Sequence, residues 1–158
     1  MTATAIILSL YHAVQTCVGA YTGLFSAMAI YNLKQREEQS ERAAQYSTTA
    51  ANQLHKTRTT QTSGAVATIS SVVSSIILAI GTGGRKFPLL LSVVNAVGIA
   101  LAYQHMAEFW KNKAKVPFIH DYNEGITASN RMIQAFQVLA GSWAFAIVLY
   151  LWPGLSFQ

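Results

Sequence analysis

Residues 1–33 contain no Asp, Glu, Lys or Arg, and neither do residues 59–84, 87–107 or 132–158. Each run matches or exceeds the ~20 apolar residues that a helix needs to cross a bilayer. Inside hydrocarbon every backbone N–H and C=O must be paired within the protein, so runs this long are read as helices. They predict an all-α polytopic membrane protein with four transmembrane helices, near 5–31, 62–82, 87–107 and 132–152. These pack as one bundle, a single membrane domain over 1–158. Charged residues make up 11% of the chain, against roughly 25% in a soluble domain. That is too little to wet the surface of a globule, and the bilayer is the first partner expected.

Within the runs, polarity recurs at helical period. In the first, His12, Gln15, Thr16, Gly19, Gly23 and Ser26 share a face, opposite Val14, Val18, Tyr21, Phe25 and Met28. Gly19 and Gly23, four apart, allow a neighbouring helix to approach closely. His12 and Gln15 read either as site residues or as a packing face with a partnered histidine. The second run sets Ser63, Gly64, Ala67, Ser70, Ser71 and Ser74 against Val66, Ile69, Val73, Ile76 and Ile80. The third carries Ser92, Asn95, Gly98, Ala102 and His105, a stripe that Glu108 extends, and the fourth carries Asn130, Gln134, Gln137 and Gly141. Polar side chains are costly in lipid, so all four stripes are expected to face one another.

The connectors, 32–61 and 108–131, hold nearly all the charge. In the first, Glu37, Glu38 and Glu41 oppose five Lys/Arg, with Glu38 and Arg42 spaced as a helical ion pair. No Gly or Pro interrupts 24–63, so span one is expected to continue as helix into water. A break at Ser47, Thr48 and Thr49, with a hydroxyl cap, would fold this connector into an antiparallel helical hairpin. Its apolar positions Leu33, Tyr46 and Leu54 are too sparse for a strong coiled coil. Gly81, Thr82, Gly83 and Gly84 end the second span without the Lys-Ser/Thr of a phosphate loop, and Pro88 suits the first position of the third. Pro117 breaks that helix, and 120–125 reads as a compact polar turn. Ser129 or Asn130 would cap span four, which Pro153 and Gly154 end.

Nine of the eleven Lys/Arg fall in the two long connectors; Arg85 and Lys86 are the other two. The positive-inside rule places both connectors in the cytosol, making the hairpin cytosolic, and both termini in the lumen or outside. An endomembrane such as the endoplasmic reticulum is the expected site. No basic n-region precedes the first run, which is expected to be a retained span. The net charge of +5 fits topology and anionic lipid headgroups, with no nucleic acid implied.

The candidate chemistry gathers around the second connector. His105, Glu108, Asp121, Glu124 and Arg131 are the catalytic candidates; Asn95, His120, Gln134 and Gln137 are the substrate-binding ones. A pocket walled by apolar side chains would desolvate the carboxylates and suit them to acid/base work. Asp121 or Glu108 would be the base, His105 the proton shuttle and Arg131 the anion holder. Charges also collect at any membrane boundary, and the same residues read equally as topology signals. His12 and His105 sit at opposite ends of the bundle, which rules them out as a haem pair. His105, His120, Glu108 and Asp121 match no metal-ligand motif, and neither metal nor cofactor is predicted. The single cysteine, Cys17, has no basic neighbour to activate it, and no Gly-x-Ser-x-Gly occurs.

In size, span count and the polar turn over 120–131, the chain resembles small four-span proteins of fungal secondary-metabolite pathways. Some of those act on polyketide or terpenoid substrates. The resemblance implies a lipophilic substrate and carries no site residues with it. Two functions follow as expectations. One is a membrane-embedded hydrolase, isomerase or cyclase for a lipophilic small molecule. The other is a non-catalytic subunit or adaptor that docks a protein partner through the 32–58 hairpin.

Overall fold

The computed structural model describes residues 3–81 and 84–153, and the regular elements among them are all helices. Helix α1 is Ala3–Lys34, α2 is Glu37–Ala44, α3 is Thr48–Ile80, α4 is Lys86–Trp110 and α5 is His120–Leu151. Four of them, all but α2, are long and apolar enough to cross a membrane, and the chain is a multi-pass membrane protein. The end expected for span two at residue 82, and Thr82, Gly83 and Gly154, lie outside the described residues.

The long helices run up and down. Helix α1 packs on α3 and α5, and α4 closes the square by packing on the same two. At 32 or 33 residues, α1, α3 and α5 are each about 48–50 Å long, well beyond the ~30 Å hydrocarbon core. At one end α1 begins and α3 and α5 finish: Ser9 Oγ donates to Ala79 O, and Arg85 Nε to Tyr150 O. At the other end both long connectors meet, where Arg36 lies 3.9 Å from Asp121 and Lys113 donates to Gln53. The basic connectors thus share one end of the bundle.

The first connector follows the expected hairpin with one difference. Instead of running on, α1 stops at Lys34, and a tighter turn (Arg36 N to Leu33 O, 3.1 Å) resets the chain into α2. Helix α2 then lies on the start of α3, held by Arg58, which bonds Glu37 at 2.5 Å and also Glu41. Ser47 caps α3 as expected, its Oγ accepting from Ala50 N at 3.3 Å, and Glu38 pairs with Arg42 at 2.6 Å.

Packing is inverted relative to a soluble bundle. Val14, Leu24, Val66, Ile69 and Leu101 are each more than 60% exposed, while His12, Gln15, Thr22, Thr68, Ser71 and Asn95 are buried. With lipid outside, the outer face has no water to avoid, and polar groups gain only by facing one another. A Cβ at Gly19 would lie 2.7 Å from Val72 Cγ2, so α1 and α3 approach as the glycine spacing suggested.

The fourth stripe departs from expectation. Gln134, Gln137 and Gly141 are exposed, and the buried face of α5 carries Met132, Phe136, Leu139, Trp143 and Tyr150. Helices α1 and α3 present small and polar residues to the bundle interior, and the large side chains there come from α5. The polar tips of the aromatics are all met: Trp143 Nε1 donates to Ser71 Oγ and Trp110 Nε1 to Thr60 Oγ1, both at 2.9 Å. Helix α5 also starts earlier than predicted. Residues 120–125 form its first turns rather than a separate polar turn, and Ser129 is buried inside the helix. Gly125 lets Leu33 pack there, since a Cβ would come within 2.8 Å of that side chain. Pro88 is the third residue of α4 rather than the first, still within the turn that needs no N–H donor.

Candidate functional site

The residues singled out from sequence spread around the bundle instead of meeting in one cavity. His105 is exposed on α4, its Nδ1 3.1 Å from Ser63 Oγ on α3. Asn95, one face further in, is buried and bonded to Ser70 at 3.0 Å and Leu91 O at 2.8 Å. These two edge a groove of about 790 Å³ between α3 and α4. Glu108 is exposed on α4. Arg131 turns toward α1, 5.6 Å above the Phe25 ring, and Gln137 toward Tyr103 OH at 3.0 Å. Gln134 is exposed. His120 and Glu124 stand 4.0 Å apart on the first turns of α5, and Asp121 faces Arg36. Among the described residues, no three His, Cys, Asp or Glu side chains are grouped to hold a metal ion.

A fully paired network occupies the end where the chain begins. Ser142 Oγ donates to Leu139 O (2.9 Å), so it must accept from Gln15 Nε2, 2.9 Å away. Gln15 Oε1 is then the group facing His12 Nδ1 at 2.8 Å, which puts the imidazole proton on Nδ1. His12 Nε2 accepts from Tyr150 OH at 2.7 Å. Tyr11 OH donates to Ser142 O at 2.5 Å, and Thr16 Oγ1 to Ser75 Oγ at 2.9 Å. Donors and acceptors are matched along this chain, as a buried structural network requires.

The opposite end holds an open cavity of about 410 Å³, lined by the end of α1, helix α2, the start of α3, and Lys113 and Tyr122. It exists because α2 folds back on α3 while α1 stops short, leaving a gap that the sparse apolar side chains of the hairpin only line. Ile30, Leu33 and Leu54 give it apolar walls; Lys34, Arg36, Arg58 and Lys113 give it cations, with Glu37 as the acid in the lining. Their states differ. Glu37 and Glu41 hold the Arg58 guanidinium and push its pKa above the usual value. Lys113 has no carboxylate partner among the described residues. Burial, and then the charge of Lys56, push its ammonium below the ordinary lysine value. Burial likewise pushes the Tyr122 phenol up.

Gln61 borders this cavity and is 5% exposed. Its Nε2 donates to Ser129 Oγ at 2.7 Å. The Ser129 hydroxyl spends its own proton on Gly125 O at 2.8 Å, which fixes the amide with its nitrogen toward Ser129. Gln61 Oε1 is left buried with no donor among the described residues. Such an orphan costs about 1–3 kcal/mol.

Sequence reasoning missed Gln61, Lys34, Arg36, Lys113 and Tyr122 as a group, because they come from four segments far apart in the chain. A signal was present in Leu33 and Leu54, apolar residues in an otherwise polar hairpin, both of which line the cavity. No protein-family model matches this chain, and neither a curated protein nor a solved structure matches it.

Proposed function

We propose that this multi-pass membrane protein takes a lipophilic small molecule into the cavity between α1 and the α2–α3 hairpin, with both basic connectors in the cytosol. The observation that carries the reading is the cavity itself: apolar walls, a cationic mouth, and a volume of about 410 Å³, within the ~300–1,000 Å³ of small-molecule sites. Ile30 lies in the cavity lining and is 39% exposed, an apolar wall open to a lipophilic molecule. Acid/base chemistry on the bound molecule is the finer reading. Asp121, ion-paired with the lining residue Arg36, is the member of the expected catalytic set best positioned for it, with Glu37 as the acid in the lining.

A fluorescent single-chain amphiphile is expected to bind the purified protein at one site and to lose that site in Thr57→Trp. Thr57 lines the cavity, and its hydroxyl bonds back to Gln53 O within α3, so the melt should change little. Binding that is indifferent to the tryptophan contradicts the reading. A second reading, an adaptor docking a partner through the hairpin, draws on Tyr46, 87% exposed at the α2–α3 turn. It requires Tyr46→Ser to abolish function while amphiphile binding survives.

A further inference from the structure

On the outer face between α4 and α5, three side chains from the two helices meet at one oxygen. Tyr103 OH accepts from Lys111 Nζ and from Gln137 Nε2, each at 3.0 Å. Ammonium and amide nitrogens only donate, so both lone pairs of the phenol are taken, and its own proton has no acceptor among the described residues. Lys111 makes no ion pair among them either. The direction of this lysine is unusual. Its Cα lies two turns, about 12 Å, beyond that of Tyr103 along α4, further than a tyrosine side chain reaches. The ammonium, 5.1 Å from the centre of the Tyr103 ring, is therefore turned back toward the bilayer, whereas a lysine at a membrane boundary ordinarily carries its charge out to water. Lys111 and Gln137 are exposed and Tyr103 is half-buried, so the unmet donors are open to whatever surrounds the bundle. Deeper along the same two faces the exposed residues become apolar: Ala100 and Val97 on α4, Ala144 and Val148 on α5.

We infer that this face binds an anionic glycerophospholipid of the leaflet next to the connectors, one with no cation in its head. Lys111 Nζ and the Tyr103 hydroxyl donate to phosphate oxygens, Gln137 holds the phenol in place from α5, and an acyl chain lies along Ala100 and Ala144. A free phosphate has nothing to lay on the apolar stretch, and a choline or ethanolamine head brings its own ammonium beside Lys111. None of the three polar residues lines the cavity, so this site stands or falls apart from it.

The test uses the full chain in detergent micelles, with affinities read by native mass spectrometry and the place of binding by NMR of carbon-labelled tyrosine rings. The Tyr103 resonance is the one missing from Tyr103→Phe. Phosphatidylglycerol is expected to shift that resonance and to bind about tenfold more tightly than phosphatidylcholine with the same chains, the weight of one charge-assisted hydrogen bond. Lys111→Gln should erase the preference, while Lys115→Gln, which removes an equal charge from the same exposed connector, should keep it. Tyr103→Phe should weaken phosphatidylglycerol about threefold or more, as the loss of one hydrogen bond does. Equal binding of the two lipids overturns the anionic class. A preference lost as fully in Lys115→Gln as in Lys111→Gln overturns the site in favour of the general charge of the connector. Undiminished phosphatidylglycerol affinity in Tyr103→Phe overturns the part given to the phenol. Glycerol phosphate that shifts the Tyr103 resonance as strongly as the lipid makes a soluble phosphate the ligand and overturns the lipid assignment.

Discussion

The two ends of this bundle treat buried polar groups in opposite ways. Where the chain begins, His12, Gln15, Ser142 and Tyr150 form a chain of bonds in which each donor has an acceptor. Where the connectors meet, Gln61 keeps an oxygen buried without a donor among the described residues, and Lys113 stands among cations with an amide and a ring for company. Both ends bury polar side chains, so the burial of polar groups alone does not distinguish them. Satisfaction does. A closed network stabilises the fold and offers nothing to a ligand, whereas unmet groups beside a cavity cost stability until something binds.

The largest effect expected from breaking this contrast is at His12. His12→Leu would remove the partner facing Gln15 Oε1 and the acceptor of the Tyr150 OH bond together, and a thermal or denaturant melt should lose about 2–4 kcal/mol. Next, Gly19→Val would drive a side chain into Val72 and separate α1 from α3, costing about 1–3 kcal/mol in the same melt. The same change of polar residue to leucine at Gln61 should have the opposite sign. It removes an orphaned oxygen, and Ser129 keeps its bond to Gly125 O, so Gln61→Leu should be neutral or stabilising by up to about 1 kcal/mol. A destabilised Gln61→Leu protein would mean that the two ends are alike.

The smallest effect is in the pH dependence. The pKa of Lys113 lies below its ordinary 10.5 because of burial and then Lys56. A depressed lysine favours the folded state once it is neutral. The empty protein should therefore gain stability as pH rises from the lowered value toward 10.5, and lose it as pH falls. Gln53 from α3, the Phe109 ring from α4, and the co-lining Lys34, Arg36, Arg58 and Glu37 complete the surroundings of this amine. Lys113→Met should flatten the slope, and a bound anion should flatten it in the wild type by lifting the pKa.

Much of the architecture was legible because charge in a bilayer is so costly. The uncharged runs placed the four long helices, the basic connectors fell at one end, and Ser47 marked the start of α3. His12 was legible as a partnered packing residue. The inner face of α5 was not. Gln134 and Gln137 sit within two turns of Arg131, near the boundary where polar side chains can face outward, so their polarity does not report direction. The residues that point inward, Phe136, Leu139 and Trp143, meet partners on other helices, as Trp143 meets Ser71 of α3, a relation between helices that one helix's pattern does not contain. The start of α5 at His120 hid behind a composition that also suits a turn. The cavity hid because Arg36, Gln61 and Lys113 meet only after the hairpin folds back.

The most direct measurement is photolabelling in bilayers with a diazirine-bearing single-chain anionic amphiphile, mapped by peptide mass spectrometry with and without excess unlabelled competitor. Competable label is expected on the end of α1 and the start of α3, around Ile30, Leu33, Leu54 and Gln61, and should vanish in Thr57→Trp. Competable label around His12, Ser142 and Tyr150, or label spread evenly over the lipid-facing surface and insensitive to competitor, would contradict the division between a sealed end and a receiving one.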